Sequence, residues 1–253
     1  MSAPRRTGVE PAASRPGTAA TVAFRGMNTD TSPAKRVLPI AAGVSLVAGA
    51  AFFFTGLATS PPAEGDDKAA YLRSLADDPF QTQLSALFLH YGNLLMGAGL
   101  LALPLLVRGR KGGVVTIVGA LLGALGLLEM SGALLSDWFH MEIGRNLPTD
   151  QAVALSDKVL AHTAQQLAFS PGPLVSLALV VTFAGLARAG VLGWWTVPAV
   201  VLGYAGMLLL PYDTPILPAV GAIPMLVPMA AAGIRLIART RATARLAAAP
   251  TFA

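Results

Sequence analysis

One acidic residue, Glu129, stands in the interior of the largely apolar stretch Gly112–His140, with Asp137 near its end. About 20 apolar residues at 1.5 Å rise each are enough to cross a bilayer, and this stretch meets that length. A carboxylate at membrane depth costs roughly 2.5–3.5 kcal/mol on insertion scales for comparable charges, so Glu129 is expected to face protein or water. The preceding apolar run supplies a partner. His90, Asn93, Gly97 and Pro104 fall on one helical stripe, and Gly126, Glu129, Ala133 and Asp137 fall on another. If the two runs form an antiparallel hairpin, His90 and Glu129 lie at similar depth, about two turns below one end. Thr55 and Tyr204 fall in the same slab. One reading is a polar pocket of Thr55, His90, Asn93, Glu129, Asp137 and Tyr204, opening outward, with Glu129 as proton acceptor or cation site. A second is a His90–Glu129 hydrogen bond that only locks the hairpin, and a third is no contact between them.

Other chemistry is thinner. Asp137, His140 and Glu142, with His162 further along, are ligand types that suit a divalent metal at the outer surface. They follow no HExxH-like spacing, and a solvated charged rim explains them better, so no metal site is expected. A bis-His haem needs two imidazoles inside the membrane, and of the three His only His90 qualifies. Met225 and Met229, one turn apart, offer thioethers to copper or simply fill core. The absence of cysteine excludes disulfides, thiolate catalysis and Cys-ligated clusters. There is no phosphate-binding Gly-rich loop and no nucleophile elbow, so no cofactor is expected.

The elements that must hold these residues are membrane helices. The chain is 54% hydrophobic and 12% charged, against about 25% charged in soluble domains. The expected fold is all-α, a polytopic helical bundle over residues 37–237 with six spans near 37–59, 84–107, 113–137, 173–188, 193–210 and 215–237. Residues 1–36 read as a disordered basic tail and 238–253 as a second basic tail. A twin-arginine signal at Arg5-Arg6 and a cleaved signal peptide ending near Ala58 are weaker rivals, because the first apolar run begins late and is long for a signal. Tyr71–Leu75 fits a short surface helix. Asp150–Leu167 has the apolar spacing of an amphipathic helix lying at the interface of the long outer loop. Pro218, Pro224 and Pro228 predict a kinked sixth span. Most of the 18 Lys and Arg cluster in the two tails and the 108–111 and Arg188 turns, while most of the 13 acids lie in the other connections. By the positive-inside rule both termini are cytoplasmic in a bacterial plasma membrane. The basicity therefore sets topology and is no sign of nucleic-acid binding.

Tyr71–Gly112 (YLRSLADDPFQTQLSALFLHYGNLLMGAGLLALPLLVRGRKG), with the weaker LLGALGLL and LVVTFAGLAR, resembles a loose group of small six-span integral membrane proteins of high-GC actinobacteria, over Val37 to about Arg239. The resemblance implies a fold and a location. It implies no activity and carries over no catalytic residue. The expected function is a non-catalytic membrane component that handles a small solute or ion or serves as an accessory subunit. Its partners are the lipid bilayer and, compatibly, another membrane protein or a second copy. The alternative is a membrane enzyme using Glu129, with His90, as acid and base on a lipid or isoprenoid.

Overall fold

The computed structural model describes residues 33–65, 67–109, 111–169 and 172–248. Among them the chain forms ten α-helices, one short 3-10 helix and no strand. These are α1 (Pro33–Ala58), α2 (Lys68–Asp77), α3 (Pro79–Leu100), α4 (Gly113–Ala133), α5 (Ser136–Asn146), α6 (Thr149–Leu160), α7 (Thr163–Phe169), α8 (Gly172–Arg188), α9 (Thr196–Leu209) and α10 (Ile216–Ala248). Three stretches, Arg36–Ala58, Gly113–Asn146 and Ile216–Leu246, are long and apolar enough to cross a membrane, and α8 and α9 are shorter apolar helices.

Six helices close into a ring. α1 packs on α3, α3 on α4, α4 on α8, α8 on α9, α9 on α10, and α10 back on α1. Facing residues fix their directions. Gly56 meets Leu89 and Gly99 meets Leu46; Gly97 meets Ala124 while His90 meets Ser131. Gly119 meets Thr182 and Gly185 meets Thr116; Gly203 meets Met225 and Gly206 meets Gly221; Gly43 meets Ile237 and Gly233 meets Leu46. Within every pair one number rises as the other falls, so these neighbours are antiparallel. Closure then makes α8 and α9 antiparallel as well.

The α4/α8 contact shows why glycine is used. A Cβ on Gly119 would lie 2.5 Å from the Thr182 nitrogen, and one on Gly185 would lie 2.4 Å from Thr116 Oγ1. The two helices approach with backbone against backbone, as small residues permit in membrane bundles. One turn on from Gly119, Gly123 faces the side chains of Leu100 and Leu179.

A second layer covers one end of the ring. α2 packs on α5, α6 and the start of α3, around a small core of Leu72, Ile143 and Ala152. Local chemistry sets its boundaries. Asp67 caps α2 by accepting from the Ala70 N–H, and Asp78 caps α3 by accepting from the Gln81 N–H, with Pro79 in the first turn.

Several expected boundaries move. α3 begins at Pro79 and stops at Leu100, because Pro104 cannot continue the ladder and the chain tightens into the 3-10 helix Leu103–Leu106. α4 ends at Ala133, and Asp137, expected at the end of the third span, belongs to a separate helix, α5, that extends into the long connection. The amphipathic segment is two helices, α6 and α7, with a break at Ala161–His162; its buried residues Ala152 and Ser156 belong to the layer built on α2 and α5. α10 runs through Pro224 and Pro228 as one helix of 33 residues. α1 starts at Pro33, inside the segment assigned to the tail; the rest of that tail, residues 1–32, and residues 249–253 lie outside the described residues.

Candidate functional site

The ring encloses a cavity of about 780 Å³. That is within the roughly 300–1,000 Å³ of small-molecule sites. All six ring helices line it: Phe53 and Leu57 from α1, Leu89, Asn93 and Met96 from α3, Leu127 and Met130 from α4, Val175 and Leu179 from α8, Tyr204 and Met207 from α9, Met225 and Met229 from α10. Its far end is apolar. Met96, Leu179, Met225 and Met229 are all buried there. Five of the eight methionines line this one space, and flexible thioether side chains give adaptable apolar walls.

The other end lies beneath α2. Tyr71, Ser74 and Leu75 of α2 line it with Ser60, Pro61, Asp137 and Tyr212. Tyr71 donates its hydroxyl to Asp137 Oδ1, tying α2 to α5 across this mouth. Withdrawal from water and the adjacent Asp137 carboxylate push the Tyr71 hydroxyl above the ordinary tyrosine range. The rim is pinned on its far side: Gln81 Nε2 donates to the Ser60 carbonyl, and the Ala63 N–H donates to the Tyr212 carbonyl. Lys68 of α2 also pairs with Asp157 of α6.

Of the residues expected to form a pocket, Asn93, Asp137 and Tyr204 line this cavity, and Thr55, His90 and Glu129 do not. Asn93 is buried and donates Nδ2 to the Leu89 carbonyl. Thr55 spends its hydroxyl on the Ala51 carbonyl one turn back. His90 bonds Ser131, through Nδ1 to the backbone oxygen at 2.9 Å and to Oγ at 2.8 Å, while Ser131 Oγ donates to the His90 carbonyl at 3.0 Å. A carbonyl can only accept, so the proton sits on Nδ1.

The His90–Glu129 pairing is corrected by this geometry. Ser131 faces α3 and is buried; Glu129, roughly 200° round the helix, is exposed and makes no hydrogen bond or ion pair among the described residues. The buried stripe of α4 is Thr116, Ala120, Gly123, Leu127 and Ser131. Because α4 ends at Ala133, Glu129 also lies only about one turn, ~6 Å, from the helix end.

The metal candidates go separate ways. Asp137 accepts from Tyr71, buried His140 bonds Ser156 Oγ through Nε2 at 3.0 Å, Glu142 pairs with Arg145, and His162 is exposed at the α6/α7 break. No three such residues gather among the described residues. Ser131 and Tyr71, which hold the two polar junctions, were missed. Each is a hydroxyl whose partner comes from another helix, and no spacing within one helix announces that.

Compared with family models, curated proteins and solved structures, the chain matches none. Its functional reading therefore rests on the cavity and its chemistry.

Proposed function

We propose that this is a six-span protein of the bacterial plasma membrane, with both termini cytoplasmic, that binds an elongated amphipathic molecule in its central cavity. The observation that carries the reading is the graded lining, apolar at the far end and hydrogen-bonding at the mouth. Along α3 the lining runs from Ser85 to Met96, a length of about 16 Å, which suits an alkyl or isoprenoid chain. Asp137 has one carboxylate oxygen engaged by Tyr71, which leaves the other for a ligand donor, a hydroxyl or an amine. The occupant would be a long-chain alcohol or amine with its head under α2. Hydrated ions are poorly served by walls of Met, Leu and Phe, and the enzyme reading loses its base because Glu129 lies outside the cavity.

The alternation of the six ring helices supports an even number of crossings. The end away from α2 carries Arg36, Arg108, Lys111, Arg188, Arg235, Arg239, Arg241 and Arg245 and no acid among the described residues, whereas the α2 end holds Glu64, Asp67, Asp77, Asp78, Asp137, Glu142, Asp150, Asp157 and Asp213. The positive-inside rule places the α2 layer, and so the cavity's mouth, outside.

Binding of a fluorescent long-chain alcohol to the detergent-purified protein tests the reading. Saturable binding that weakens at least tenfold in Met225→Trp and Leu127→Trp is expected. Binding that is absent, or unchanged in both space-filling variants, sinks it.

A further inference from the structure

We propose that Arg108, Arg235 and Arg239 form a second site, at the end of the ring opposite the cavity's mouth, for the phosphate head of an anionic membrane lipid. A cleft of about 450 Å³ lies there between the end of the 3-10 helix, the turn joining α8 to α9, and α10. Arg235 and Arg239 stand four residues apart on α10 and rise from one face of it, and Arg108 reaches in from the turn before α4. Arg239 is half-buried and donates Nη1 to the Leu106 carbonyl, which fixes that guanidinium while leaving most of its donors free.

Charge makes the cleft a receptor. No carboxylate pairs with any of the three arginines among the described residues, and every described acid lies at the other end of the ring or, in the case of Glu129, within a turn of it. Three guanidiniums converging without a counter-charge repel one another until an anion joins them. Their planar forks match phosphate oxygens in a bidentate way that ammonium groups do not.

The walls select a lipid over a free anion. Val191 lines the cleft, and Leu105 and Ile234, next in the chain to its lining residues Leu106 and Arg235, are 58% and 59% exposed. An acyl chain leaving the headgroup would run over these side chains into the bilayer. Basic pockets between membrane helices on the cytoplasmic side recognise anionic headgroups by this combination. This site is independent of the central cavity and its ligand.

Native mass spectrometry of the delipidated protein in neutral detergent, titrated with phosphatidylglycerol, phosphatidylcholine or inorganic phosphate, tests it. One phosphatidylglycerol should bind in preference to phosphatidylcholine, and Arg235→Gln/Arg239→Gln should weaken it at least tenfold. Arg108→Gln should weaken it several-fold without touching α10. Arg241→Gln/Arg245→Gln removes the same charge from the same helix outside the cleft and should leave binding unchanged. Equal losses in the two double variants would mean general attraction to a basic surface and overturn the site. So would phosphatidylcholine binding as well as phosphatidylglycerol, or inorganic phosphate competing it away at equal concentration.

Discussion

Tyr71 of α2 and Asp137 of α5 meet over the mouth of the central cavity, with the tyrosine hydroxyl 2.5 Å from the carboxylate. The bond joins two short helices from different connections, and both residues line the cavity below. Tyr71→Phe removes the donor and leaves the carboxylate without its protein partner. The expected cost is about 1 kcal/mol, because the site is partly open, together with faster release of a bound long-chain alcohol. Thermal unfolding and stopped-flow release measure the two effects; no change in either would mean that α2 is held by Lys68–Asp157 and its apolar face alone.

The same pair makes a pH prediction. Tyr71 ionises above its ordinary value, so the folded state favours its protonated form. Its contribution to stability is fully present below about pH 10, the unfolded tyrosine value, and is lost only as pH rises from there towards the higher folded value. An absorbance titration should therefore show no loss of tyrosinate signal near pH 10 in Tyr71→Phe compared with the parent. Loss of one tyrosine equivalent there would show that the hydroxyl is open to water.

His90 and Ser131 are a second cross-helix pair, and they replace the one the sequence suggested. A His90→Gln/Ser131→Ala cycle should show coupling of about 0.5–3 kcal/mol. A His90→Gln/Glu129→Gln cycle should be additive, because Glu129 is on the exposed face of α4. Coupling in the second cycle and additivity in the first would reverse the assignment.

These pairs show what was legible. Long apolar runs yielded the helices of the ring, and three stretches are long and apolar enough to cross a membrane, because length and composition are written directly in the sequence. Glu129 misled because rarity of charge was read as inwardness. Glu129 lies on the exposed face of α4, opposite the buried stripe that ends at Ser131. α5 escaped notice for a related reason: its apolar positions face α2, a partner outside any local window.

Close packing of α4 on α8 predicts an asymmetric response to size. Gly119→Val pushes a branched side chain into the Thr182 backbone and should destabilise by about 1–3 kcal/mol, lowering the unfolding temperature in detergent. Gly132→Ala, one helix turn past Glu129 and with no atom within 4 Å of the added carbon, should be neutral or slightly stabilising. Equal tolerance of both would show that the α4/α8 contact has room for a branched side chain.

The proposed topology meets its hardest test at α9. Fourteen helical residues reach only about 21 Å, less than the ~30 Å of bilayer hydrocarbon. Trp194 and Trp195 precede the helix, both largely exposed, and suit one interface; Leu210 and Tyr212 extend the apolar stretch towards the other. If α8 and α9 both cross, Arg188 is cytoplasmic while Asn146 and Asp213 are outside. The chain has no cysteine, so single substitutions report without background. In intact cells stripped of any outer barrier, a membrane-impermeant maleimide should label Asn146→Cys and Asp213→Cys, and should label Arg188→Cys only after lysis. Labelling of Arg188→Cys from outside would mean that α8 and α9 dip in as a hairpin without crossing. The cavity would then keep its lining but lose the assignment of its mouth to the outer face through those two helices.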